Sequence, residues 1–313
     1  MNLVEIGSRV LTSCMAVKAS ETVLVVTDDE KLQIGQALYQ AAKELGADAM
    51  LVTMSPREVS GQEPPACIAA AMKAADVVLC PMSTSITHTR AKIEAAKAGA
   101  RIATMPNITE DMFRQGAMTA DYDTVMELTN RVTEMLTQAS TARIEKDGHV
   151  LTLDLAGRPG IPSPGVYREK GQAGNLPSGE AYIAPWKAAP TVLWSLMAPW
   201  WALVCWNPPV QVQVKDGKLQ SIQGADAEKV GFLLNNERNA TLCELGIGTN
   251  YAARLTGVIL EDEKAYQTVH IAFGTNIGFG GTNKADCHID GIIKNPTLYL
   301  DDMLVLKDGS FQI

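Results

Sequence analysis

The chain has 313 residues, of which 46% are hydrophobic, 20% charged and 5% aromatic, a balance that excludes a disordered or collagen-like chain. Its formal charge is −8, and the Lys and Arg residues are scattered rather than striped, so nucleic acid is not an expected partner. Two domains are expected, because single cores stop growing at roughly 250–300 residues.

The first half alternates strand and helix. Val23-Leu24-Val25-Val26-Thr27 is an apolar run, followed by Asp28-Asp29-Glu30 as an acidic cap and by a helical pattern (Ile34, Leu38, Ala41, Ala42, Leu45) ending at Gly46. Strands are predicted over 49–54, 77–80 and 101–104, helices over 65–75 and 87–98, and further helices over 110–114 and 121–136, up to a boundary near Ala139-Ser140-Thr141. This order predicts a doubly wound, mostly parallel α/β domain over residues 1–140. Ligands in such sheets sit beyond the carboxyl ends of the strands. The segment Pro81 to Arg90 is therefore a possible substrate cleft through Thr87, His88 and Arg90, or a polar loop in which Ser85 or Thr87 caps the next helix. No GxGxxG follows the first strand, so a dinucleotide site has little support.

After the boundary the period changes to two. Residues 143–145 and 150–155 flank Lys146-Asp147-Gly148-His149, and 210–214 and 219–222 flank Lys215-Asp216-Gly217-Lys218, both reading as hairpins. Strands are also predicted over 265–273 and 297–306, with a turn at Lys307-Asp308-Gly309. Residues 141–313 thus read as a mostly antiparallel β domain.

That half carries the chemistry. His288 and Asp290 are two apart, so on an extended segment both face one way and can share a cation. His270 stands in the apolar run Thr268 to Phe273, as either a satisfied core histidine or a ligand. Glu244 and Glu180 also stand in apolar, glycine-punctuated stretches, and charged residues are rarely buried without partners or metals. Nitrogen and oxygen donors of this kind suit borderline divalent ions, one or a carboxylate-bridged pair.

At these residues the sequence resembles the M29 metallo-aminopeptidases of the aminopeptidase T type. The likeness runs through Asn175-Leu176-Pro177-Ser178-Gly179-Glu180, Glu244-Leu245-Gly246-Ile247-Gly248, His270-Ile271-Ala272-Phe273-Gly274 and His288-Ile289-Asp290, with Thr87-His88-Thr89 and Gly99-Ala100-Arg101-Ile102 upstream. The resemblance implies a metal-binding catalytic domain that holds Zn, Co or Mn through Glu180, Glu244, His270, His288 and Asp290. Glu244 would assist proton transfer from a metal-activated water during release of N-terminal residues from peptides. In that family a Tyr follows the first His in a Gly-x-Ala-Tyr-Pro setting; Gly274 to Gly281 here contains none. The same fold belongs, as the resemblance implies, to 2,5-dihydroxypyridine 5,6-dioxygenases, in which two His and one Asp hold a single Fe(II). His270, His288 and Asp290 satisfy that count. A metal-binding protein without peptidase activity is the third reading.

A small peptide or small molecule is the expected substrate, and a homodimer or higher homo-oligomer the expected assembly. The six Cys include no CxxC pair and read as buried thiols of a reducing compartment. Met1 to Glu5 lacks the pattern of a secretory signal, and Thr191 to Trp206 is too short and proline-broken to span a bilayer, so the expected location is cytoplasmic and away from membranes. All five Trp fall between Trp186 and Trp206. There the resemblance breaks off after Pro185 and resumes near Val210. An interface loop and a membrane-touching patch are two readings of this anomalous segment, 186–207. A third is the product of two compensating frameshifts, because permitted codons read one base out of register give a glycine-rich, polar string without a stop.

Overall fold

The computed structural model describes residues 2–188, 193–196, 210–224 and 227–313. The chain divides into two units, Met1–Met126 with Gly165–Ser178, and Glu127–Pro164 with Gly179–Ile313.

The first unit opens with α1 (Leu3–Arg9), whose N-cap Asn2 and Glu5 form a reciprocal capping box. Then come β1 (Thr22–Asp28), α2 (Leu32–Glu44), β2 (Asp48–Met54), α3 (Ala66–Ala74), β3 (Val77–Met82), α4 (Arg90–Lys97), β4 (Arg101–Pro106) and α5 (Glu110–Gln115). Helix α6 (Tyr122–Gln138) carries the chain into the second unit, which receives β5 (Thr141–Lys146), β6 (His149–Asp154) and β7 (Ile161–Ser163). Strand β8 (Ala173–Asn175) then returns to the first unit, where it pairs parallel with β4. A single boundary near residue 140 does not reproduce this return. The sheet order is β2-β1-β3-β4-β8, parallel throughout, as the alternation predicts. Strand β3 is buried at every position, which is why its sequence is apolar without alternation.

The acidic cap expected before α2 takes a different form. The N-cap is Lys31, without a side-chain bond, while Asp28 accepts hydrogen bonds from the Lys31 N–H (3.1 Å) and from the Ser83 N–H and hydroxyl (2.6 and 2.7 Å). Asp28 thus ties the ends of β1 and β3 together. Helix α4 is capped by Thr89, not by Ser85 or Thr87.

The second unit continues with β9 (Glu180–Ile183), β10 (Lys187–Ala188), β11 (Leu193–Leu196), β12 (Val210–Lys215), β13 (Lys218–Gln223), α7 (Ala227–Val230), β14 (Leu242–Gly248), α8 (Ile259–Asp262), β15 (Thr268–Gly274), β16 (His288–Lys294), β17 (Thr297–Leu300), β18 (Met303–Lys307) and β19 (Ser310–Phe311). Its sheets are antiparallel, ordered β10-β6-β5-β17-β18-β19, β11-β12-β13 and β16-β15-β14-β9-β7. The Asp-Gly pairs at 147–148, 216–217 and 308–309 all have positive φ at both residues, the requirement of a tight hairpin turn. The run 297–306 is two strands rather than one. Asp301 (φ 50°) breaks it, and its carboxylate accepts from the Ser140 and Thr141 N–H groups.

Of the thiols expected to be buried, Cys14, Cys80 and Cys243 are, Cys287 is partly so and Cys67 is exposed. Trp200, Trp201 and Trp206, and with them most of the frameshift reading, lie outside the described residues. Trp186 is exposed; its indole N–H donates to the Ala156 carbonyl (2.8 Å) and the Arg158 guanidinium lies over its ring. Among the described residues no helix is long and apolar enough to cross a membrane.

Candidate metal centre

The five-stranded sheet β16-β15-β14-β9-β7 explains how polar residues can stand in apolar sequence. Side chains alternate across a strand. Ala181, Ile183, Leu245, Ile247, Val269, Ile271 and Phe273 point to one face and belong to the unit's main hydrophobic core. Glu180, Tyr182, Glu244, His270, His288 and Asp290 occupy the alternate positions, on the opposite face. Several of their cross-strand partners are small: Glu180 pairs with Gly248, His270 with Gly246 on one side, Asp290 and Glu244 with Ala272, and His288 with Gly274, whereas the other neighbour of His270 is Ile292. A β-carbon built on Gly246 would lie 2.0 Å from His270 Nε2, so the imidazole occupies the space that this glycine leaves.

The five ligand candidates read from sequence therefore come together. His270 Nε2 lies 3.4 Å from Glu244 Oε1 and 3.6 Å from Glu180 Oε2; His288 Nε2 lies 3.1 Å from Glu244 Oε2 and 3.5 Å from Asp290 Oδ1. These separations fit donors around a shared ion. Bonds of about 2.1 Å set adjacent ligand atoms about 3.0 Å apart in an octahedron and about 3.4 Å apart in a tetrahedron. Among the described residues, two triads have ligand atoms within 4.8 Å of one another, Glu244–His270–Asp290 and Glu180–Glu263–His270; His288 is in neither and joins the cluster through Glu244 and Asp290. Glu180 Oε2 is buried without a hydrogen-bond partner and faces the cluster, 3.6 Å from His270 Nε2.

His288 is oriented from outside the cluster. Its Nδ1 is 2.8 Å from the Thr275 carbonyl, which can only accept, so Nδ1 carries the proton and Nε2 is left as a donor atom for a metal. Thr275 is held by the loop that follows β15, where Asn276 Nδ2 donates to the Cys243 carbonyl (3.2 Å) and Asn276 Oδ1 accepts from the Asn283 N–H (2.9 Å). Phe279, in the same loop, stands edge-on to both Tyr182 (5.3 Å) and His288 (5.9 Å), making an aromatic corner beside the donors.

The metal-free protonation pattern follows from crowding. Burial would raise the Glu244 pKa, but hydrogen bonds and charge from the two imidazoles outweigh it and hold the carboxyl at about 2. Burial opposes charging of His270, yet Glu244 and Glu180 raise it to about 9. His288 is likewise raised well above its ordinary value against the cost of burial, chiefly by Asp290.

Sequence reasoning missed Lys264, Glu263, Tyr182 and Phe279. Lys264 is 1% exposed, and its ammonium donates to Glu180 Oε1 (2.5 Å) and to Glu263 Oε1. It ends the charge run Glu261-Asp262-Glu263-Lys264, a pattern that locally signals a solvated surface. Tyr182 carries a legible signal, since it is two residues from Glu180 on one strand. The possible cleft residues belong to the first unit. Thr87 is half-buried, bonded to Thr104 Oγ1 (2.9 Å) and Asn175 Oδ1 (3.1 Å); His88 and Arg90 are exposed, and the Arg90 N–H donates to Glu63.

A family model described as "NicX: 2,5-dihydroxypyridine 5,6-dioxygenase" matches residues 2–313. The chain belongs to that family. Of the two families its motifs resemble, the match is to the dioxygenases. The 2,5-dihydroxypyridine dioxygenase of Pseudomonas putida KT2440 shares the fold with a TM-score of 0.79 at 20% identity, over 99% of this chain and 96% of that one. Wild-type AmpT from Thermus thermophilus shares it with a TM-score of 0.70 at 15% identity, over 99% of each chain. No curated protein sequence matches the chain. The two-domain architecture, a parallel α/β sheet followed by antiparallel sheets, is therefore common to a 2,5-dihydroxypyridine dioxygenase and an AmpT protein.

Proposed function

We propose that this chain is a non-haem metal-dependent dioxygenase that opens the ring of a dihydroxypyridine-like substrate, with one Fe(II) held by His270, His288 and Asp290. The observation that carries the reading is the loop after His270. The peptidase resemblance implies a tyrosine there; this loop instead supplies the Thr275 carbonyl that fixes the His288 tautomer, and Phe279. Membership of the dioxygenase family supports the same choice.

His270, His288 and Asp290 would hold the iron(II), which when bound would supply the activation of dioxygen and of a ring hydroxyl. The chain's own groups orient the ring. Tyr182 and Phe279 offer an apolar, aromatic edge against which a flat heterocycle can stack. Glu244 lies between the imidazoles, 3.4 Å from His270 Nε2 and 3.1 Å from His288 Nε2, where its carboxylate can accept a hydrogen bond from a substrate hydroxyl.

The test is oxygen consumption by the iron-loaded protein with 2,5-dihydroxypyridine, alongside amino-acid release from short peptides. The expected result is oxygen uptake with loss of the ring absorbance, abolished in His288→Ala. Peptide cleavage without oxygen uptake would overturn the reading in favour of a hydrolase.

A further inference from the structure

We infer that the Lys264 ammonium stands in for a second cation and thereby fixes this centre at one divalent ion. The inference rests on the one-metal reading above and deepens it. The cluster gathers four carboxylates, Glu180, Glu244 and Asp290 from the sheet and Glu263 from the end of α8, and two imidazoles, which is donor enough for two ions. The second of the two triads is Glu180–Glu263–His270. Lys264 bonds to both of its carboxylates, at Glu180 Oε1 and Glu263 Oε1. A divalent ion on those oxygens would crowd a buried ammonium at unscreened distance. The other triad, Glu244–His270–Asp290, and His288 have no bond to Lys264.

The backbone shows how Lys264 reaches this place. Gly248 is the cross-strand partner of Glu180, and a β-carbon there would lie 2.0 Å from the Ala265 carbonyl oxygen and 2.9 Å from the Lys264 carbonyl carbon. The chain thus passes directly over Gly248 and delivers Lys264 beside Glu180. At 1% exposure Lys264 is closed off from bulk solvent, so giving up either carboxylate would leave a buried charge without its partner. Lys264 is a positioning residue. By holding Glu180 Oε1, it leaves Oε2, 3.6 Å from His270 Nε2, as that residue's only oxygen toward the metal.

Metal-stripped full-length protein titrated with Co(II) under argon tests this, with ions counted per chain and the ligand-field spectrum recorded. Wild type is expected to take one Co(II), Lys264→Arg one, and Lys264→Ala and Lys264→Gln two, the second with its own band. Two ions in wild type overturn both this inference and the one-metal reading. One ion in Lys264→Ala and Lys264→Gln, with the wild-type spectrum, overturns the role of Lys264 alone and leaves the one-metal reading standing. If neither neutral variant folds, refolding in excess Co(II) replaces the count. Recovery of a cooperative melt supports substitution of ammonium by metal; failure to recover overturns it.

Discussion

Gly246→Ala isolates the centre from the fold. The added methyl would stand 2.0 Å from His270 Nε2 and 2.1 Å from Cε1, about 1.4 Å inside ordinary contact. The methyl belongs to a central strand, between β9 and β15, and His270 is fully buried, so the ring must leave its place rather than slide. Gly246 is not in the left-handed region, so alanine fits its backbone and should regain about 0.5–1 kcal/mol of strand entropy. Overpacking costs about 1–3 kcal/mol, which leaves a net loss of roughly 0–2.5 kcal/mol and a folded protein. Displacing a supporting group of a metal site typically costs 10–100-fold in affinity, and displacing a ligand itself should cost at least that much. The assay is Fe(II) or Co(II) affinity of the variant by calorimetry, with a thermal melt as the folding control. Gly231→Ala, where nothing lies within 4 Å of the new methyl, serves as the neutral comparison. Wild-type metal affinity in folded Gly246→Ala would refute both the placement of His270 over this glycine and its role as a ligand.

Metal uptake should tighten as pH rises from 7 to 9, by about tenfold per unit for each imidazole proton displaced, because His270 is raised to about 9 and His288 well above its usual value; calorimetry across that range measures it. In the metal-free protein the sign for stability is the reverse. The His270 contribution is full below its ordinary 6.5 and is lost as pH rises through about 9, while that of Glu244 is full above its ordinary 4.5 and is lost as pH falls toward about 2, so melting temperature should peak between 4.5 and 6.5. Alkylation at pH 8 should label exposed Cys67 and spare Cys14 and Cys80, whose thiols burial pushes up to about 12; peptide mapping showing early labelling of Cys80 would contradict this. Asn276→Ala should cost about 1–3 kcal/mol by orphaning the Cys243 carbonyl and the Asn283 N–H, and should weaken metal binding through loss of the Thr275–His288 contact; denaturant unfolding and metal titration read the two effects separately.

Much of this protein is written locally. Alternating strand and helix signals determine the parallel sheet of the first unit, because each element's pattern reports its own burial. The three Asp-Gly turns determine their hairpins, because only residues tolerant of positive φ close them. His288 and Asp290 share a face by strand parity alone. The five ligand candidates were legible as charged or imidazole groups out of keeping with apolar neighbours, since those neighbours point to the opposite side of the same strands. Tertiary structure decided the rest. The return of β8 to the first unit is a pairing between residues about seventy positions apart, of which a three-residue strand carries no local sign. Lys264 reads as surface because its surroundings are set by Glu180 and Gly248, far away in sequence; only the packed chain shows that the most polar stretch before β15 supplies a buried charge to the centre. A sequence records which side chains can bind a cation, but the number of cations depends on which other charges the fold has already brought within reach.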